Sequence, residues 1–369
     1  MRSRHVIVGG GIVGLSVALA IARRGEDVLV LDAGRPASTL RSAAVVRTIA
    51  ADPMLAVLAQ LSLSWFERWT EDGDGTSPFE QCGVFVVLPE ESRSIRMSAI
   101  DAATGSAELL AASGYVPPRD GLVYHDRRGG LIDPIRAVGA LQRAIQINGG
   151  RLAAALVTGI ESRHGAVSGV TTSAGSVPAD IVIVAAGRWT AQILGDLWPG
   201  SPFDLQRAEV ATFASEGPRP ELPLIDLCRG VLVRRWHDDG LLTSLRETTP
   251  VSFADDAEQG CDIEQIRTRI EPVLQSRLGR VTSQWTAVYD NALDDRPYVG
   301  AIGPHLYVAA GFGGFGFKLA PAIGLLLADM VAEVEPALDV SAFAPTRRAT
   351  ASCLRDFGLR EPESAGVSA

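Results

Sequence analysis

The chain has 369 residues, of which 47% are hydrophobic and 21% charged, with a formal net charge of -9. That length allows two domains that each bury a core, and the composition is that of a globular chain rather than a disordered one. The acidic balance leaves no basic footprint for nucleic acid and no charge-driven adsorption to an anionic bilayer.

Arg2 and Arg4 followed by an apolar run imitate a secretory signal. The run, however, holds Gly9, Gly10, Gly11 and Gly14, and Arg23-Arg24 closes it in place of a small-residue cleavage site. Residues 5–8 instead read as a short buried strand. A helical pattern follows through Leu15, Ala18, Leu19 and Ala22, Gly25 stops it, and 28–32 forms a second buried strand ending in Asp32. Gly9 permits a tight turn, Gly11 lets backbone approach a pyrophosphate, and Gly14 lets helix pack on strand. The free N–H groups at the helix start suit phosphate charge, and Asp32 suits a ribose hydroxyl. Strand, glycines, helix, strand and acid in that order predict dinucleotide binding without choosing between FAD and NAD.

Residues 37–47 come next, with Arg41 among small neighbours that suit passage beside a diphosphate. A solvent-facing loop arginine is the competing reading. Residues 83–88 and 230–233 read as strands, 152–157 as a strand, 165–176 as a glycine-turned hairpin and 263–278 as a helix. Residues 180–184 form a buried strand running into Ala185-Ala186-Gly187-Arg188-Trp189, whose small residues allow backbone to approach a cofactor. A strand at 306–310 then meets Gly311-Phe312-Gly313-Gly314-Phe315-Gly316-Phe317-Lys318 and a helix over about 319–334. That helix carries Asp329 and Glu333 and falls short of the roughly 20 apolar residues a bilayer demands. A second glycine-dense loop feeding a helix is a second anion-stabilising device, suited to the N1–C2=O edge of a flavin.

Cys82, Cys228, Cys261 and Cys353 have no CxxC spacing, and five scattered histidines complete no zinc or haem pattern, so no metal is expected. Free, mostly buried thiols in the cytoplasm are the expectation.

With these segments in place the chain resembles the D-amino-acid oxidase and sarcosine oxidase superfamily of FAD enzymes. The likeness runs from Val6 to about Val331 and adds Trp285, Tyr289, Asp294, Pro297 and Gly300, in a stretch like the family's W-x-G-x-Y…D-x-x-P-x-x-G. The resemblance implies an α/β architecture, a Rossmann-like FAD-binding domain interleaved with an α+β mixed-sheet substrate domain. The FAD domain is expected from 1–80, 140–200 and 285–335, the substrate domain from 81–139 and 201–284, and a tail from 336–369. The last seven residues are expected to be disordered. Non-covalent FAD is expected against Gly9, Gly11, Ile12, Val13, Gly14, Asp32 and Ala33, then Arg41, Ser42 and Ala43. Val157, Ala186, Gly187 and Trp189 stand across the crevice, and Gly313, Gly314, Phe315, Gly316, Phe317 and Lys318 close over the flavin.

An amino-acid substrate needs a cationic clamp for its carboxylate. Lys318 opens a helix, where positive charge is disfavoured by up to about 1 kcal/mol unless something offsets it. The resemblance implies that Lys318 and Arg47 form this clamp, with Tyr289 where D-amino-acid oxidases carry arginine. A snorkelling lysine, a structural salt bridge and a core aromatic are the respective competing readings. Tyrosine there points to N-alkyl or cyclic amino acids. Ala287 stands where monomeric sarcosine oxidases attach FAD to cysteine, which excludes that bond. The stretch 239–246 lacks the family's oxygen-activating lysine, Thr243 falling near its position, which favours a dehydrogenase. The expected activity is oxidation of an amino-acid C–N bond to an imine by hydride transfer to flavin N5. Oxidation of a 2-hydroxy acid, or the role of flavin subunit or tailoring enzyme in a larger system, are the alternatives. The substrate is a small amine or amino acid; the electron acceptor (oxygen, a quinone or a partner subunit) and the oligomeric state stay open.

Overall fold

Alternation of apolar strands with a helix that is apolar on every side predicts a helix buried against a parallel sheet, and this is what the first 32 residues build. A computed structural model describes residues 3–347 except 36, 51, 70–76, 90–101, 105–106, 200–202, 238–239, 246–248 and 252–259. Strand Ser3–Val8 lies in the middle of the first sheet, parallel to Val28–Asp32 on one side and to Gly175–Val184 on the other. The ten-residue strand Gly175–Val184 has two tasks. Its first half turns back on Ala166–Thr172, and its second half joins Ser3–Val8 and Leu306–Ala310. Helix Ile12–Ala22 is buried at every position except Val13.

The closing helix, Gly316–Val331, packs on Ile12–Ala22 and on Pro53–Glu67. It begins and ends about three residues before the expected span. The 19-residue segment Gly313–Val331 has mean hydropathy 1.5, long and apolar enough to cross a bilayer, contrary to the sequence expectation; two thirds of it is buried within the protein.

A second sheet holds strands Val84–Leu88, Leu122–Asp126, Phe203–Glu216, Leu224–Asp226, Val231–Trp236, Gly240–Leu245 and Arg277–Ala292. Both parallel and antiparallel pairs occur in it. The longest pairing joins Phe203–Glu216 to Arg277–Ala292, so the division expected at residue 285 falls inside one strand. The helix expected over 263–278 covers only Ile263–Ile270. Glu271 is still helical, but Pro272 has no N–H to continue the ladder, the chain tightens into a 3-10 turn over Glu271–Val273, and Leu274 is already extended. Part of the expected tail is packed: Phe343 is fully buried, and Arg347 forks onto Asp294 at 2.8 and 2.9 Å. Residues 348–369, with Cys353 and the end expected to be disordered, lie outside the described residues. Cys82, Cys228 and Cys261 are free and half-buried rather than mostly buried.

Candidate active site

A cavity of about 820 Å³ runs from the glycine turn of the first sheet to the face of the second. Its first end is made largely of backbone. Gly9 has φ +113°, and a Cβ there would stand 2.4 Å from the Ala185 carbonyl oxygen; a Cβ on Gly14 would stand 2.1 Å from the Gly9 carbonyl oxygen. Only glycine allows the turn, the neighbouring strand and the helix to approach so closely. Helix Ile12–Ala22 starts with no side-chain cap from Gly11, and Ile12 N donates to Thr39 Oγ1 at 3.1 Å. A Cβ on Gly11 would meet only that hydroxyl, at 3.0 Å, and Gly314 on the facing loop has nothing within 4 Å.

Asp32 accepts from Gly10 N at 2.6 Å and from Gly34 N at 2.7 Å, which aims the carboxylate and leaves lone pairs for a ligand hydroxyl. Trp189 lines the cavity, and its buried indole N–H has no acceptor among the described residues. The guanidinium of Arg188 lies 4.4 Å from that ring and that of Arg35 lies 5.9 Å from it. A helix start whose glycine supplies no side-chain cap, open space over Gly314, an oriented carboxylate and an orphaned donor fit a dinucleotide. Gly9, Gly11, Ile12, Val13, Asp32, Ala33, Arg41, Ser42, Ala43, Val157, Ala186, Gly187 and Trp189 all line the cavity, as do Gly313 to Lys318. Gly14 does not line it; its part is to let the helix reach the turn.

Arg41 also fastens the loop. It donates to the Thr286 carbonyl at 2.9 Å, while its own carbonyl accepts from Trp285 Nε1 at 2.9 Å and Ser38 reaches the Val288 carbonyl at 2.6 Å.

The second end is made of side chains. Arg47, 6% exposed, follows strand Val45–Val46 and donates to the Ile49 carbonyl. Lys318, 3% exposed, sits in the first turn of the closing helix with its ammonium 4.0 Å from the Phe315 ring centroid. It is the sole lysine among 34 basic residues. Arg47, Tyr289 and Lys318 line the same cavity, as does Ala287. Thr243 does not: it is fully buried and donates to the Ala211 carbonyl at 3.2 Å, while its neighbour Ser244 lines the cavity. Asp239 and Arg246 lie outside the described residues.

Gln206 and Asp290 are among the cavity residues that the sequence reading did not name. Gln206 stands opposite Tyr289 in the strand register. Asp290 is buried, accepts from Gly311 N at 2.5 Å and has its carboxyl pushed up to about 6 by desolvation, only partly countered by that hydrogen bond. Next to it, Asn291 bridges to Phe312, so residues 290–291 hold the glycine loop in place. An acid directly after the motif tyrosine is the one signal that marks it.

A family model described as "FAD dependent oxidoreductase" matches residues 4–330. The chain is 26% identical to 4-methylaminobutanoate oxidase (formaldehyde-forming) of Paenarthrobacter nicotinovorans, over 92% of this chain but only 45% of that protein. It is 24% identical to glycine oxidase of Pseudomonas putida, over 94% of this chain and all of that one. The crystal structure of L-proline dehydrogenase from P. horikoshii superposes with a TM-score of 0.82 at 19% identity, covering 97% and 99% of the two chains.

Proposed function

The chain belongs to the FAD dependent oxidoreductase family, and from that premise we propose that it oxidises the C–N bond of an amino acid to an imine, N-alkyl or cyclic amino acids foremost. The carrying observation is a pair of buried cations, Arg47 and Lys318, that line the same cavity as the dinucleotide turn. Two cationic donors lining one cavity suit a substrate carboxylate, which can accept a charge-assisted hydrogen bond from each. Lysine where every other residue of the lysine–arginine set is arginine presents a compact ammonium instead of a guanidinium fork. Tyr289 lines the same cavity and adds a phenolic hydroxyl to the grip.

FAD, when bound, supplies a hydride acceptor at N5. The chain's own residues do the rest: Arg47 and Lys318 fix the carboxylate, and the apolar walls keep water from the reacting carbon. Oxidation removes a hydride from carbon and a proton from nitrogen, and water then hydrolyses the released imine. Ala287 in place of a cysteine, with Cys82, Cys228 and Cys261 all away from the cavity lining, supports non-covalent FAD. The described stretch Gly240–Leu245 contains no lysine, which supports an electron acceptor other than oxygen.

The test is anaerobic bleaching of the purified yellow protein by a panel of primary, N-methyl and cyclic amino acids and matching 2-hydroxy acids, with a dye for turnover. Bleaching by amino acids is expected. Bleaching by 2-hydroxy acids alone, or by nothing in the panel, sinks the proposal.

A further inference from the structure

Deepening the amine-oxidation reading, on which it rests, we propose that the site selects amino acids bearing a bulky apolar group, received by a wall of Leu88, Ile225, Leu227 and Leu232.

The strand register builds that wall. Ile225 stands opposite Leu232, Leu232 opposite Ser244 and Ser244 opposite Val210, so one row crosses four strands, and every member lines the cavity. One step along, Leu227 N donates to the Val87 carbonyl at 2.9 Å, which sets Leu227 beside Leu88; both also line the cavity. Val45 and Ile49 flank Arg47 at alternate positions and pack in the same apolar cluster as Leu88, Ile225, Leu227 and Leu232. A cation therefore sits amid aliphatic side chains, which matches a ligand with a carboxylate at one point and hydrocarbon beyond it.

The wall offers almost nothing to a polar substituent. The acids lining the cavity are Asp32, Asp52, Asp290 and Asp295, and none lies on strands Val84–Leu88, Leu224–Asp226, Val231–Trp236 or Gly240–Leu245. Ser244, the one hydroxyl in the row, already donates to the Glu209 carbonyl at 2.9 Å. A polar side chain placed here would lose its water without replacing it. An apolar one gains about fourfold in affinity per buried methylene.

The experiment titrates holoenzyme with straight-chain carboxylates from acetate to hexanoate and reads the shift in the flavin absorbance spectrum. Affinity should rise about fourfold per methylene, a hundredfold or more across the series. Leu232→Asn should bind acetate as wild type does but flatten the slope; its flavin content reports folding, and the wild-type series stands without it. A wild-type slope near zero with acetate still bound overturns the apolar wall and leaves the amine-oxidation reading intact. No spectral shift with any carboxylate overturns the clamp, and with it that reading.

Discussion

The two ends of the cavity are made differently. At the dinucleotide end the contacts are backbone to backbone, set by Gly9 and Gly14 within six residues of one another. At the far end they are side chains gathered from strands up to 199 residues apart, such as Val45, Leu88, Leu232 and Ser244. A backbone site has one solution and tolerates no Cβ. A side-chain site on a sheet face can change residue by residue without disturbing the sheet, so chemistry is held constant at one end and substrate choice is free to vary at the other.

Breaking the backbone end should have the largest effect. Gly14→Val puts a Cβ about 2 Å from the Gly9 carbonyl oxygen, and the clash should cost about 3 kcal/mol or more, seen as loss of soluble protein or a large fall in Tm. Gly11→Ala meets only the Thr39 hydroxyl, so apoprotein stability should change by less than about 1 kcal/mol while flavin content collapses. Flavin retained at full occupancy in Gly11→Ala would remove the glycine turn from the cofactor site.

Asp290 joins the two ends, and its effect depends on pH. Its carboxyl stays protonated up to about 6 in the folded chain against an ordinary value of 3.8. The folded state then binds more protons than the unfolded one between those values, so stability is lost as pH rises through this window and stays lost above it. Asp290→Asn still accepts from Gly311 N but cannot ionise. Relative to wild type it should gain about 3 kcal/mol between pH 4 and pH 7, read by denaturant unfolding across that range. Parallel stability profiles for the two proteins would show that Asp290 is not the group held neutral.

At the side-chain end, Lys318→Met and Arg47→Met should keep flavin yet lower kcat/KM for the acid substrate by about 10- to 150-fold, the loss of a charge-assisted hydrogen bond worth about 1.5–3 kcal/mol. Their double variant should lose less than the sum if both grip one carboxylate. Lys318→Arg should do no better than Met, because a planar guanidinium fork cannot reproduce the compact point charge of the ammonium. Full activity in Lys318→Arg would reduce the lysine to a generic positive charge.

The same contrast explains what could be read in advance. The turn, its helix and the closing loop were legible because each is local: glycine spacing, an all-apolar helix and a terminal acid lie within about 30 residues. Ile225, Leu232 and Ser244 were not, because only the register between strands brings them to one wall. Asp290 was passed over because its burial depends on Gly311, 21 residues later. The helix over 263–278 was overdrawn because its apolar periodicity outweighed Pro272, whose missing N–H breaks the helical ladder.

The smallest expected effect concerns Thr243. The family resemblance placed it near the position of an oxygen-activating lysine, which would put it against the flavin. In the sheet it pairs with Ala211 and Val233, its hydroxyl donates to the Ala211 carbonyl at 3.2 Å, and its side chain is fully buried away from the cavity. Strand alternation assigns the cavity face to Ser244 instead. Thr243→Val removes one buried hydroxyl bond and should cost about 1 kcal/mol in stability. The rate at which oxygen reoxidises dithionite-reduced protein should stay within a factor of about two of wild type, since a difference that small is below about 0.5 kcal/mol. Stopped-flow absorbance of the flavin gives that rate directly. A tenfold change in Thr243→Val would mean that this strand presents its other face to the flavin, and the row carrying Leu232 and Ser244 would have to be redrawn with it.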